Sequence, residues 1–200
     1  MRPTEVLMQE HRVIEQVIAC LEEITNRCEA GQPLDTKSAG EAIDFFRMFA
    51  DRCHHGKEED LLFPVMEQKG YSREGGPTGV MLYEHDEGRR HVGAMAKAIE
   101  QVGAGRFTAQ GAFIEHARGF AELLRQHIFK EDHCLFPMAD QAMSNEDQDE
   151  LSRAFEKVER DDLGPELHDK YVEIANRLAD RFGVAKAACS ATESGGCCNR

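Results

Sequence analysis

Two stretches of this chain carry the residue types of metal chemistry. HHGKEEDLLFP spans residues 54–64, and HIFKEDHCLFP spans residues 127–137. His54 aligns with His127, Glu58 with Glu131, and Phe63-Pro64 with Phe136-Pro137, all at an offset of 73. An imidazole and a carboxylate four residues apart share one face of a helix. Two such helices facing each other offer two imidazoles and two carboxylates to one metal site in a bundle core. A further likeness precedes each stretch: VLMQEH at residues 6–11 matches VMLYEH at residues 80–85, with His11 and His85 offset by 74. The repeating unit is therefore a helical hairpin, and two copies make one bundle with pseudo-twofold symmetry. That symmetry sets His11 opposite His85 and His54 opposite His127, with Glu58 and Glu131 between them. Six such groups in an apolar core are costly without compensation, and metal coordination is the simplest one.

The repeat also sorts the neighbours. His55 and Glu59 are four apart as well, but His55 aligns with Ile128 and Glu59 with Asp132. This places His55 and Glu59 outside the metal-binding set. Glu59 and Asp132 are the expected acceptors that orient imidazole N–H groups, and Glu10 and Glu84 are candidates for the same role. His91, His116 and His133 fall beside the inward seams and His168 lies in an appended segment, so all four read as surface or rim residues. Arg89 and Arg90 read as solvated charge near the site mouth.

Periodicity supplies the elements that must hold these residues. A first helix is expected over residues 4–30 with the seam Leu7, His11, Ile14, Ile18, Leu21. A second runs over 36–68 with Ile43, Phe46, Ala50, His54, Glu58, Leu61 and Val65 on one face; Pro64 should kink it or end it early. A third, 78–102, carries Met81, His85, Gly88, Val92, Met95, Ile99 and Val102. A fourth, 108–143, carries Phe113, Ala117, Phe120, Leu124, His127, Glu131, Cys134 and Met138, with Pro137 interrupting near its end. Short loops between long amphipathic helices predict an all-α, up-down-up-down four-helix bundle over residues 1–143. An acidic extension at 144–183 is expected to form two shorter helices, 145–160 and 165–182, packed on the bundle. A Cys-containing tail at 184–200 completes the chain; Cys189, Cys197 and Cys198 lack the spacing of a zinc site.

Bulk composition excludes several classes. The net charge of −13 argues against nucleic-acid binding, which needs a basic face. No apolar run approaches the ~20 residues of a membrane span, so no membrane association is expected. Residues 1–10 lack a basic stretch followed by an apolar one, so no export signal is expected. Seven Cys, an odd number, then fit reduced thiols in the cytoplasm better than a disulfide framework.

The motifs EH, HHGKEEDLLFP, EHDEGR and HIFKEDHCLFP together resemble those of the hemerythrin-like, or HHE cation-binding, family over about residues 4–143. The resemblance implies a four-helix bundle around two non-haem iron ions, with Glu58 and Glu131 bridging and His11, His54, His85 and His127 as terminal ligands. Imidazole and carboxylate also suit Mn and Zn. The oxygen-carrying hemerythrins have a second His four residues after the helix-three His, where this chain has Arg89. They also use an Asp five residues after the last-helix His, where this chain has a Glu at four. The spacing is closer to the branch that resembles iron–sulfur repair and nitric-oxide-responsive proteins. The implied function is binding of, or reaction with, a small oxidant (O2, NO or peroxide) in sensing, detoxification or iron handling. The alternative is a metal-stabilised regulatory or interaction module without turnover, motivated by the acidic extension; its protein partner is not readable from the sequence.

Overall fold

The computed structural model describes residues 1–163 and 165–187. The fold is all-helical, and no strand occurs among the described residues. Helix α1 is Pro3–Glu29. A second rod, α2, covers residues 36–68. It begins as an α-helix at Thr36–Phe45, widens into π-helical turns at Phe46–His55 and Glu58–Leu62, and finishes at Phe63–Gln68. Helix α3 is Pro77–Gly103. Rod α4 covers residues 107–142: a 3₁₀ turn at Phe107–Ala109, an α-helix at Gln110–Lys130, a π turn at Glu131–Leu135 and a last segment at Phe136–Ala142. Helix α5 is Asn145–Lys157, continued by π turns at Val158–Leu163, and α6 is Pro165–Phe182.

Local chemistry sets the ends. The Asp35 carboxylate accepts from the Ser38 N–H at 3.2 Å and caps α2. Ser144 and Asp147 exchange reciprocal bonds that start α5. Gly31 and Gly105 both sit at φ +84° just past α1 and α3, where a side chain would strain the backbone. Those glycines are also related by the repeat offset of 74.

Pro64 and Pro137 do not end their rods, which continue as helix to Gln68 and Ala142. Each follows a π turn, Glu58–Leu62 or Glu131–Leu135, and falls in the first turn of the α-segment after it. There its missing N–H removes no bond the segment needs. The π turn also inserts a residue and shifts the helical face by one position. Beyond Glu58 the buried residues are Leu62, Phe63 and Met66, not Leu61 and Val65; beyond Glu131 they are Leu135, Phe136 and Ala139, not Cys134 and Met138.

α1 packs against α2 and α4, and α3 packs against the same two rods, so the four close a ring. α5 lies on α1 and on the second π turn of α2, while α6 lies on α1 and the start of α2. Tyr171 of α6 is fully packed against Phe45 and donates its hydroxyl to Asp44 at 2.9 Å. Two apolar clusters fill the ring. One contains Ile14, Phe46, Phe49 and Phe120; the other contains Leu7, Phe63, Met81 and Phe136. The seam residues His11, His54, Glu58, His85, His127 and Glu131 belong to neither cluster, and all are buried. They form a polar layer between two apolar ones.

Candidate metal centre

Each hairpin presents a pair of imidazoles. His11 Nε2 lies 2.9 Å from His54 Nε2, and His85 Nε2 lies 3.1 Å from His127 Nε2. The two carboxylates sit between the pairs. Glu58 is 3.6 Å from His54 Nε2 and 3.5 Å from His85 Nε2. Glu131 is 3.2 Å from both His11 Nε2 and His127 Nε2. Donor atoms of His11, His54, Glu58 and Glu131 all lie within 4.8 Å of one another, as do those of His55, Glu58, His85 and His127. All six residues singled out by the repeat are thus brought together.

His55 joins them, against the sequence expectation. It is 7% exposed, and its ring stacks on His85 with centroids 3.8 Å apart. The reason is local. Residues 46–55 are π-helical, and a wider turn rotates less per residue, so His54 and His55 both reach the interior. α4 is still an α-helix at the equivalent positions, and Ile128 there belongs to the apolar core. Symmetry between the halves breaks at this residue.

Behind each inward Nε2, the Nδ1 is tied to a carboxylate. His11 pairs with Asp132 at 2.7 Å, His54 with Glu10 at 2.9 Å, His85 with Glu59 at 2.7 Å and His127 with Glu84 at 2.9 Å. His55 pairs with Asp51 at 3.4 Å. Such acceptors fix the tautomer and leave Nε2 free as a ligand. A layer of cations pins these acceptors in turn. Lys57 bonds Glu10, Lys130 bonds Glu84, and Arg12 bonds Asp132. Arg89 is not solvated charge: it spans Glu59 at 2.6 Å, Asp51 at 2.8 Å and Asp86 at 3.0 Å. Arg90 pairs with its helix neighbour Glu87 and is exposed surface charge, as expected. Lys57 and Lys130 are also related by the repeat, since each precedes its motif Glu and the two are 73 positions apart. His91 and His116 are half-buried between α3 and α4, with their Nδ1 atoms 3.3 Å apart.

The electrostatics of the layer are those of a site built for cations. Glu58 and Glu131 are 0% exposed, and none of their four carboxylate oxygens has a hydrogen-bond partner. Burial, with the Glu131 charge beside it, raises the Glu58 carboxyl well above the ordinary range. Burial would raise Glu131 too, but His127 and His11 overcome it and hold its carboxyl well below. Burial and the neighbouring His11 depress His54 to about 3, so this imidazole is neutral and ready to ligate. Burial works against Glu10 as well, yet Lys57 and His54 bring it down to about 2. An unpaired buried carboxylate costs several kcal/mol in a folded protein. A multivalent cation between the two imidazole pairs would satisfy all four oxygens at once, so the residues fit a metal.

The comparisons with known proteins agree. Residues 2–139 match the hemerythrin HHE cation binding domain. The chain belongs to that family. It is also similar to uncharacterized proteins of Mycobacterium bovis and of Mycobacterium tuberculosis, strains CDC 1551 and H37Rv. Each is 24% identical over 180 residues, covering 90% of this chain and 70% of the relative. That span runs past the family domain into the extension. No solved structure matches the chain. No helix among the described residues is long and apolar enough to cross a membrane. Cys189, Cys197 and Cys198 lie outside the described residues.

A cavity of about 180 Å³ adjoins the centre. His55, His85, His127, Gly88, Arg89 and Phe120 are among the residues that line it.

Proposed function

We propose that this chain is a non-haem di-iron protein built on an up-down-up-down four-helix bundle, and that it binds or reacts with a small oxidant: O2, NO or peroxide. The observation that carries the reading is the pair of buried, hydrogen-bond-free carboxylates between two imidazole pairs. One ion would lie among His11, His54, Glu58 and Glu131, and the other among His55, His85, His127 and Glu58. Iron bound there supplies one-electron redox chemistry and open positions for a diatomic or peroxide ligand. Mn and Zn suit the same donors, but paired carboxylates between two ions favour iron.

The chain's own residues do the rest. Asp132, Glu10, Glu59, Glu84 and Asp51 hold the five imidazoles in the ligating tautomer. Phe136 stacks on His11 at 5.5 Å and Phe63 on His85 at 6.0 Å, closing the layer from below against water. The cavity over His55, His85 and His127 is the route for a small ligand, and its apolar wall favours an uncharged one. His55 raises the imidazole count to five, the number in the oxygen carriers, but from a different helix. With Arg89 in place of their helix-three His and Glu in place of Asp, the reading favours sensing, detoxification or iron handling over oxygen carriage.

The test is spectroscopic. The iron-reconstituted protein should absorb in the visible, and NO should change that spectrum under anaerobic conditions. His55→Ala should keep the ion among His11, His54, Glu58 and Glu131 while altering the NO response. An iron-loaded protein whose spectrum ignores NO, O2 and peroxide alike would sink the oxidant reading.

A further inference from the structure

The family domain ends at residue 139, yet the extension beyond it reaches the ligands. α5 lays Phe155 under Lys57, whose Nζ stands 5.5 Å from the ring centroid. Two residues after α5's α-helical part, Glu159 accepts from Lys57 Nζ at 2.8 Å. Lys57 is 0% exposed and also bonds one oxygen of Glu10. The other oxygen of Glu10 accepts from His54 Nδ1 at 2.9 Å. One line of contacts thus runs from the extension to a candidate ligand: Glu159, Lys57, Glu10, His54.

The pseudo-twofold supplies an internal comparison. In the second hairpin the corresponding line is Lys130, Glu84, His127. α5 packs on α1 and α2, which carry the first line. Lys130 is 37% exposed where Lys57 is sealed. Two halves built from one repeat therefore differ in what stands behind their histidines.

We infer that Glu159 is a positioning residue for the metal ion held by His54, so that docking of the extension sets the properties of one ion and not the other. This rests on the di-metal reading above. The physical route is charge sharing. With Glu159 in place, Lys57 divides its charge between two carboxylates, and Glu10 keeps negative charge to polarise the His54 N–H. A polarised N–H makes the opposite Nε2 a stronger donor to a metal. Without the Glu159 charge, Glu10 alone must neutralise a buried ammonium, and His54 becomes the weaker ligand. The ion beside His55, His85 and His127 has no such dependence on α5.

The experiment uses the full chain loaded with Co²⁺, whose visible ligand-field bands report each ion's donors. Glu159→Gln is compared with wild type and with Glu156→Gln, the same charge change on the exposed face of α5. Removing an acceptor directly behind a ligating His costs roughly 10–100-fold in metal affinity. Glu159 acts through two further residues and its side chain is 41% exposed, so the expected loss is roughly three- to tenfold. One of the two Co²⁺ ions should leave at correspondingly lower chelator concentration, with a shift of its bands, while Glu156→Gln behaves as wild type. Glu159→Asp, which keeps the charge, should restore most of the affinity; if Glu159→Gln does not fold, Glu159→Ala carries the test with the same expected loss. Release curves and spectra of Glu159→Gln that superimpose on wild type, or that match Glu156→Gln, overturn the inference and leave the metal centre standing. A wild-type chain that holds no pair of Co²⁺ ions overturns the metal centre itself.

Discussion

At the scale of single residues, the two carboxylates of the polar layer look alike in sequence and differ in charge state. In the metal-free protein Glu58 is pushed toward its neutral form by burial and by Glu131. Glu131 keeps its charge, despite burial, because His127 and His11 face it. Glu58→Gln should therefore change the stability of the metal-free protein by about 1 kcal/mol or less, since it replaces a neutral group with another. Glu131→Gln removes the counter-charge of buried imidazoles and should cost about 3 kcal/mol. Urea unfolding of the two metal-free variants checks the difference, and equal losses would contradict it. Both variants should lose metal. The six candidate ligands were legible because they form three pairs related by the repeat, at offsets of 73 or 74. His55 was not, because its counterpart in the repeat is the apolar Ile128. Its inclusion depends on a π turn that one hairpin has at that place and the other lacks.

At the scale of elements, the six helical rods among the described residues fall within a few residues of the positions read from periodicity, loops and caps. What periodicity could not show is a change of helical pitch. After each His-x-x-x-Glu the π turn moves the buried face by one residue, which brings Phe63 and Phe136 under the histidines. The Phe of each Phe-Pro pair stacks on a histidine of the site, Phe63 on His85 and Phe136 on His11. α3 contributes differently. Gly88 is buried in mid-helix, and a Cβ there would meet Phe120 at an ordinary 3.6 Å. Gly88→Ala should stabilise the fold by about 0.5–1 kcal/mol, because glycine loses more freedom than alanine on entering a helix. Gly88→Leu should extend into the cavity lined by His55, His85 and His127. It should leave metal content unchanged and slow the approach of NO or azide, read by stopped-flow absorption. Unchanged rates would mean that ligands arrive by another path.

At the scale of the whole molecule, the extension is the part the sequence explained least. Its helices were legible from Phe155, Tyr171, Ile174 and Leu178. Its reach to His54 was not, because Glu159 sits 102 positions from Lys57 and neither residue is unusual on its own. The buried histidines also give the metal-free protein a pH dependence. Burial lowers His54, His55 and His85 below their ordinary value, His54 to about 3. The unfolded chain takes up protons on these residues near pH 6.5 while the folded one does not, so acid favours unfolding. Burial would lower His127 too, but Glu131 raises it to about 9. Its contribution is complete below pH 6.5 and is lost only as pH rises through about 9, so it does not offset the acid loss. The urea midpoint of the metal-free protein should fall between pH 6.5 and 5. Bound metal should flatten that dependence until its ligands protonate, because binding to the folded state alone adds stability.

The most direct test of the central claim is the number of metal ions per chain. Protein reconstituted anaerobically with Fe²⁺, desalted and assayed by elemental analysis, should hold two irons per chain. Glu58→Gln, which removes the carboxylate common to both donor sets, should hold fewer than one. A wild-type chain that retains one iron or none, or a Glu58→Gln variant that retains two, would contradict the account.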